Sequence, residues 1–85
     1  MQEIQIYSTT NCPNCRVLKQ FFETKKIQYK EVNMATPAAL TELRMNGVFT
    51  MSAPVLQVDS RFFTTKELFS DGRIDQSRLE NLLKN

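Results

Sequence analysis

Histidine is absent from this 85-residue chain, and so is tryptophan. Without imidazole the chain can build no Cys–His nucleophile pair, no histidine general base and no zinc site of two cysteines and two histidines. No run of apolar residues nears the length that crosses a bilayer. Charge of one sign is lacking as well. Eleven Lys and Arg against nine Asp and Glu leave a net +2, too little to argue for nucleic acid or a membrane surface as partner. The first residues, Met1-Gln2-Glu3-Ile4-Gln5, carry neither the basic nor the apolar segment of a secretion signal, so a cytoplasmic location is expected. Repeats, low-complexity tracts and linkers are missing, and the length suits one domain over residues 1–85. Cysteine is scarce, with two residues in all. In a reducing compartment a lone pair is a catalytic or metal-binding device before it is a structural staple.

Both cysteines fall in Cys12-Pro13-Asn14-Cys15, after a short apolar run and before a helical pattern. Two thiols at this spacing on the first turn of a helix can open and close a disulfide with little backbone motion. The unpaired N–H groups and the dipole of a helix N-terminus favour a thiolate there. A nucleophile and a second thiol to resolve what it attacks are the elements of thiol–disulfide exchange. Activation of Cys12 must come from backbone dipoles and cations. Arg16 and Lys19 read either as solvated helix charge or as cations that lower the Cys12 pKa.

Glu3-Ile4-Gln5-Ile6-Tyr7-Ser8 alternates polar and apolar and predicts a first strand, with Thr9-Thr10-Asn11 as a loop. Val17, Leu18, Phe21 and Phe22 recur at helical spacing from Cys12 to about Thr24, with Arg16, Lys19, Gln20 and Glu23 outward and Pro13 in the first turn. Residues Ile27 to Asn33 predict a second strand. Thr36 as N-cap and Pro37 open a second helix that Gly47 ends. Val55 to Val58 and Arg61 to Thr64 form a hairpin across Asp59-Ser60. Thr64 and Glu67 fit a capping box for a short helix through Phe69, which Asp71-Gly72 breaks, and Asp75 caps a last helix carrying Leu79, Leu82 and Leu83. The order is β-α-β-α-β-β-α, with the first two strands parallel and the last two antiparallel. Val17, Leu18, Phe21, Phe22, Phe62 and Phe63 are core or near-core candidates, and the four methionines read as packing or surface residues.

Cys12-Pro13-Asn14-Cys15 after the first strand, Ser52-Ala53-Pro54 before the third, and this element order resemble the glutaredoxin family of the thioredoxin fold. Thioredoxins carry a tryptophan beside the first cysteine, where this chain has Asn11. The resemblance implies an α/β domain with a four-stranded mixed sheet flanked by helices. It also implies a cis Ala53–Pro54 peptide beside the cysteines, leaving the Ala53 backbone free to pair with an extended peptide or glutathione. Substrate contacts are then expected at Thr10, Asn11, Pro13, Asn14, Ala53, Pro54, Thr64 and Thr65. Departures touch the glutathione side. Thr9 stands where many family members have lysine, Asn14 where they have tyrosine, and Thr64-Thr65-Lys66-Glu67 where they have Gly-Gly and an acidic pair. Thr64 either caps its helix or helps bind an anion.

The expected activity is a dithiol–disulfide oxidoreductase with Cys12 attacking and Cys15, more shielded, resolving. It would act on disulfide-containing proteins or glutathione mixed disulfides, as a monomer, with no bound cofactor. Glutathione or a disulfide reductase would supply electrons. The alternative within the family is a glutathione-independent, thioredoxin-like electron donor to an enzyme such as ribonucleotide reductase. Two other readings use the same thiols: half of a four-cysteine zinc site shared by two chains, or an iron–sulfur cluster bridged between chains with glutathione. A structural or interaction module with incidental cysteines would make the spacing and the Pro54 motif coincidences.

Overall fold

The computed structural model describes residues 3–50 and 52–84. Strand β1 (Ile4–Ser8) is followed by helix α1 (Pro13–Thr24), strand β2 (Lys30–Asn33), helix α2 (Pro37–Met45), strands β3 (Val55–Val58) and β4 (Arg61–Phe63), helix α3 (Thr65–Leu68), strands β5 (Phe69–Ser70) and β6 (Arg73–Ile74), and helix α4 (Gln76–Lys84). The four-stranded sheet has the order β2-β1-β3-β4. β1 pairs with β2 in parallel and with β3 antiparallel, and β3 pairs antiparallel with β4. A strand sends alternate side chains to opposite faces. On one face Ile4, Ile6, Leu56 and Val58 pack against Leu18, Phe21 and Phe22 of α1 and Leu79 of α4. On the other, Tyr7 and Val55 cluster with Ala39 and Leu43 of α2 and with Met34. Each face of the sheet is thus covered, as the parallel β1-α1-β2 unit requires.

Both long helices before β3 end in the same way. The N–H groups of Lys26 and Ile27 donate to Glu23 and Phe22, and those of Gly47 and Val48 donate to Arg44 and Leu43. These are Schellman closures with Lys26 (φ 57) and Gly47 (φ 82) in the left-handed region. The first corrects the expected start of the second strand. Ile27 is the residue that follows the left-handed position and packs back on the core, so pairing with β1 begins only at Lys30. Two other expectations change, those for Val17 and for residues 69–72, while that for Phe62 and Phe63 holds. Val17 lies about 100° around the helix from Leu18 and is 40% exposed, so it is not core. Phe62 and Phe63 are near-core as expected, half-buried and each packed on the core of its own face. Phe69 belongs to a strand, and Asp71-Gly72 is the tip of the β5–β6 hairpin, both residues having positive φ as a tight two-residue turn demands. Of the methionines, Met34 is buried and Met45 exposed, while Met1 and Met51 lie outside the described residues. No helix is long and apolar enough to cross a membrane, among the described residues.

Candidate active site

The topology gathers the candidate residues at one end of the sheet. β1 ends at Ser8, β3 begins antiparallel to it with Val55 opposite Tyr7, and β4 runs back to the same end at Phe63. The loop before α1, the Ala53-Pro54 segment and the Thr64-Thr65 segment therefore share one rim. This is the carboxyl end of the parallel pair, where open α/β sheets place their ligands.

Asn11 adopts φ 58, a left-handed conformation that asparagine tolerates better than most residues, and this turns the chain from the loop into α1. Cys12 is the N-cap, in extended conformation, and Pro13 follows at the first helical position. The Cys15 N–H donates to Cys12 Sγ at 3.0 Å, so sulfur takes the capping place of a serine or aspartate oxygen. A disulfide joins Cys12 to Cys15, with their Cα atoms 5.2 Å apart. The two sulfurs differ in access: Cys12 is half-buried, and Cys15 is 1% exposed on the core side of the helix.

A groove toward β3 is lined by Asn11, Cys12, Pro13, Asn14 and Ala53, with a volume of about 320 Å³. The Ala53–Pro54 peptide is cis and Pro54 is buried. The Thr65 hydroxyl donates to the Pro54 carbonyl at 3.2 Å, which ties the start of α3 to this segment. Thr64 is the N-cap of α3, and its N–H donates to the Glu67 carboxylate at 2.9 Å. The expected capping box is present, and that backbone donor is already occupied by an internal acid. Thr64 and Thr65 are half-buried and line neither groove beside the cysteines. Thr10 is exposed and lines the other groove, toward β2.

That second groove, of about 500 Å³, is the feature sequence reasoning missed. Ser8, Glu31 and Asn33 line it with both cysteines, Arg16 and Lys19. Ser8, 4% exposed, donates its hydroxyl to Glu31 at 2.8 Å, and the Lys19 ammonium meets the same carboxylate oxygen at 2.8 Å. The Lys19 and Ser8 hydrogen bonds hold the Glu31 carboxyl below its ordinary value. Lys19 is therefore partnered rather than freely outward. A signal was available: Ser8 puts a hydroxyl where the alternation Ile4, Ile6 calls for an aliphatic side chain. Among the described residues, no three acidic or cysteine side chains gather as a metal cluster.

Residues 4–63 match the family model described as Glutaredoxin. The chain belongs to the glutaredoxin family. An uncharacterised glutaredoxin-like protein of 8.6 kDa from the rubredoxin operon of Clostridium pasteurianum is 29% identical over 73 residues, covering 86% of this chain and 93% of that protein. Among solved structures, a variant of the thioredoxin-like protein BC3987 superposes with TM-score 0.71 at 21% identity, covering 99% of this chain and 97% of the other. Glutaredoxin 1 from Francisella tularensis, complexed with cacodylate, gives 0.68 at 22% identity with both chains fully covered. NrdH-redoxin from Escherichia coli, a glutaredoxin-like protein with a thioredoxin-like activity profile, gives 0.62 at 24% identity, covering 73% of this chain and 80% of its own. These structural likenesses establish the thioredoxin fold. With the family match, they make the chain a glutaredoxin-like redox protein whose Cys12 and Cys15 stand at disulfide distance.

Proposed function

We propose that the protein is a dithiol–disulfide oxidoreductase that reduces protein disulfides, with Cys12 as nucleophile and Cys15 as resolving thiol. The observation that carries this is the unequal placement of two bonded sulfurs: Cys12 half-buried at a helix N-cap with a backbone N–H on its sulfur, Cys15 buried one turn on. A thiolate at Cys12 gains that N–H and the dipole of α1. It attacks one sulfur of a substrate disulfide, forms a mixed disulfide, and expels the other sulfur as a thiolate that takes a proton from solvent. Cys15, deprotonated, then attacks Cys12 Sγ. The second substrate thiol leaves, and the Cys12–Cys15 disulfide remains. The substrate gains two electrons and two protons, which an external reductant must restore.

Asn11, Pro13, Asn14 and the Ala53 backbone are the contacts for an extended substrate segment, because they line the groove at Cys12. For the electron source, the reading we favour is a thioredoxin-type reductase rather than glutathione. The specific observation is Glu67. Its carboxylate occupies the Thr64 N–H, at the segment where the family resemblance puts a glutathione carboxylate. While Glu67 holds it, that donor is closed to a ligand carboxylate.

The test is reduction of the oxidised chain by glutathione alone against reduction by a thioredoxin reductase with its own electron supply. Turnover by the reductase with resistance to glutathione supports the reading. Rapid reduction by glutathione replaces it with a glutathione-dependent one. Cys12→Ser should abolish exchange. Cys15→Ser should stop dithiol reduction while sparing monothiol exchange. Full activity in Cys12→Ser refutes the assignment.

A further inference from the structure

The groove toward β2 holds a charge arrangement that exchange chemistry does not by itself require. Ser8 sits on the α1-facing side of β1 after Ile4 and Ile6, and its buried hydroxyl is given to the Glu31 carboxylate. Glu31 comes from the edge strand β2 and holds the Lys19 ammonium of α1 on the same oxygen. The Lys19 and Glu31 side chains are 25% and 48% exposed, and ion pairs of that exposure stabilise a fold by little. What the arrangement does accomplish is to fix one negative and one positive charge in the cavity that both cysteines line, with Arg16 as the other cation. The remaining ionisable group coupled to Glu31 is the Tyr29 phenol, pushed up to about 12 by burial and by Glu23, and therefore neutral over the working range.

We infer that Lys19 and Glu31 are positioning residues for the cysteine pair, Lys19 favouring the thiolate and Glu31 opposing it through its own charge and by holding the Lys19 ammonium. Ser8 fixes the carboxylate in place. The inference rests on the dithiol reading. Because thiolate character decides attack and sets the poise of the couple, the two side chains act on rate and potential together. Stabilising the thiolate stabilises the reduced pair and makes the disulfide the stronger oxidant.

The test uses the full chain with Glu31→Gln, Lys19→Met, both together, and Lys19→Arg. Thiolate is read by its ultraviolet absorbance against pH, and the potential by equilibration with a dithiothreitol couple. Glu31→Gln should raise the thiolate-to-thiol ratio near neutrality about two- to fivefold and Lys19→Met lower it by a similar factor, since charges at this exposure act through a high effective dielectric. A fivefold change in the equilibrium constant corresponds to roughly 20 mV for a two-electron couple, upward for Glu31→Gln and downward for Lys19→Met. The double variant should fall between the single ones, Lys19→Arg should match the parent, and the shifts should fade in about 1 M salt. Shifts of the same sign in both single variants, or none, overturn the inference while leaving the oxidoreductase reading intact. If the parent chain shows no reactive thiol and no reversible disulfide, both fail together.

Discussion

In the reduced protein a limiting thiol alkylator should label Cys12 at least about a hundredfold faster than Cys15, and burial rather than ionisation should supply most of that preference. The ionisation part is small when worked through. A backbone N–H on the sulfur and the start of α1 together favour the Cys12 thiolate by about 2 kcal/mol. This raises the thiolate-to-thiol ratio by about thirtyfold. Lower basicity weakens each thiolate, with a Brønsted slope near 0.4–0.5, by about fivefold. The net gain from ionisation is at most about sixfold. Cys15, at 1% exposure beneath the first turn of α1, must wait for a local opening that costs a few kcal/mol, worth about two orders of magnitude or more. The assay is timed alkylation of the dithiol with peptide mass analysis, at neutral pH and again at about pH 10, above the ordinary thiol value. The preference should persist at the higher pH. Collapse to near parity there would show that ionisation, not burial, separates the two sulfurs. Faster labelling of Cys15 at either pH would invert the assigned roles.

Phe22→Ala should destabilise the fold by about 3–5 kcal/mol in urea denaturation, because its ring is fully buried and meets Phe21 and Tyr29 edge-on; a loss under about 1 kcal/mol contradicts the assigned core. Thr36→Ala removes the acceptor of the Ala39 N–H at the start of α2 and should cost about 1 kcal/mol in the same assay. Tyr7 and Tyr29 are the two tyrosines of the chain, and burial pushes both phenols above the ordinary value of 10.0, Tyr29 to about 12. The folded state thus keeps the Tyr29 proton where the unfolded chain has lost it, so stability falls as pH rises between 10.0 and about 12. A spectroscopic phenolate titration with a midpoint at 10.0 would refute this.

The helix and strand signals of the main sheet were legible because they are local. The Thr36-Pro37 start and Gly47 stop of α2 and the Thr64–Glu67 box correspond to contacts within a few residues, and the alternation in Glu3–Ser8 is a local sequence pattern of strand faces. The β5–β6 hairpin was not, although Asp-Gly is a hairpin signal: with flanking strands of two residues, no alternation exists to set against the helical reading of Leu68 and Phe69. Val17 was misplaced because helical spacing fixes an apolar stripe but not its edge. At the site, the cysteines and Pro54 were visible as motifs. The Ser8–Glu31–Lys19 network was not, since it joins three elements across the parallel pairing of β1 with β2, a contact that no local pattern encodes.

Four helix starts among the described residues meet one physical demand, the unpaired N–H groups of a first turn, with different acceptors. α2 uses the Thr36 hydroxyl, α3 the Glu67 carboxylate and α4 the Asp75 carboxylate, whose Oδ1 accepts from Arg78. α1 uses the sulfur of Cys12. Of these acceptors only the sulfur changes its covalent state in redox chemistry. As a thiolate it caps α1 with a full negative charge, and as half of a disulfide it caps with a weak neutral acceptor. Capping at α1 therefore favours the reduced, ionised form, which is the form that attacks. The same hydrogen bond that begins the helix biases the sulfur toward nucleophilic chemistry, while the hydroxyl and carboxylate caps elsewhere hold their helices with no comparable link to redox state.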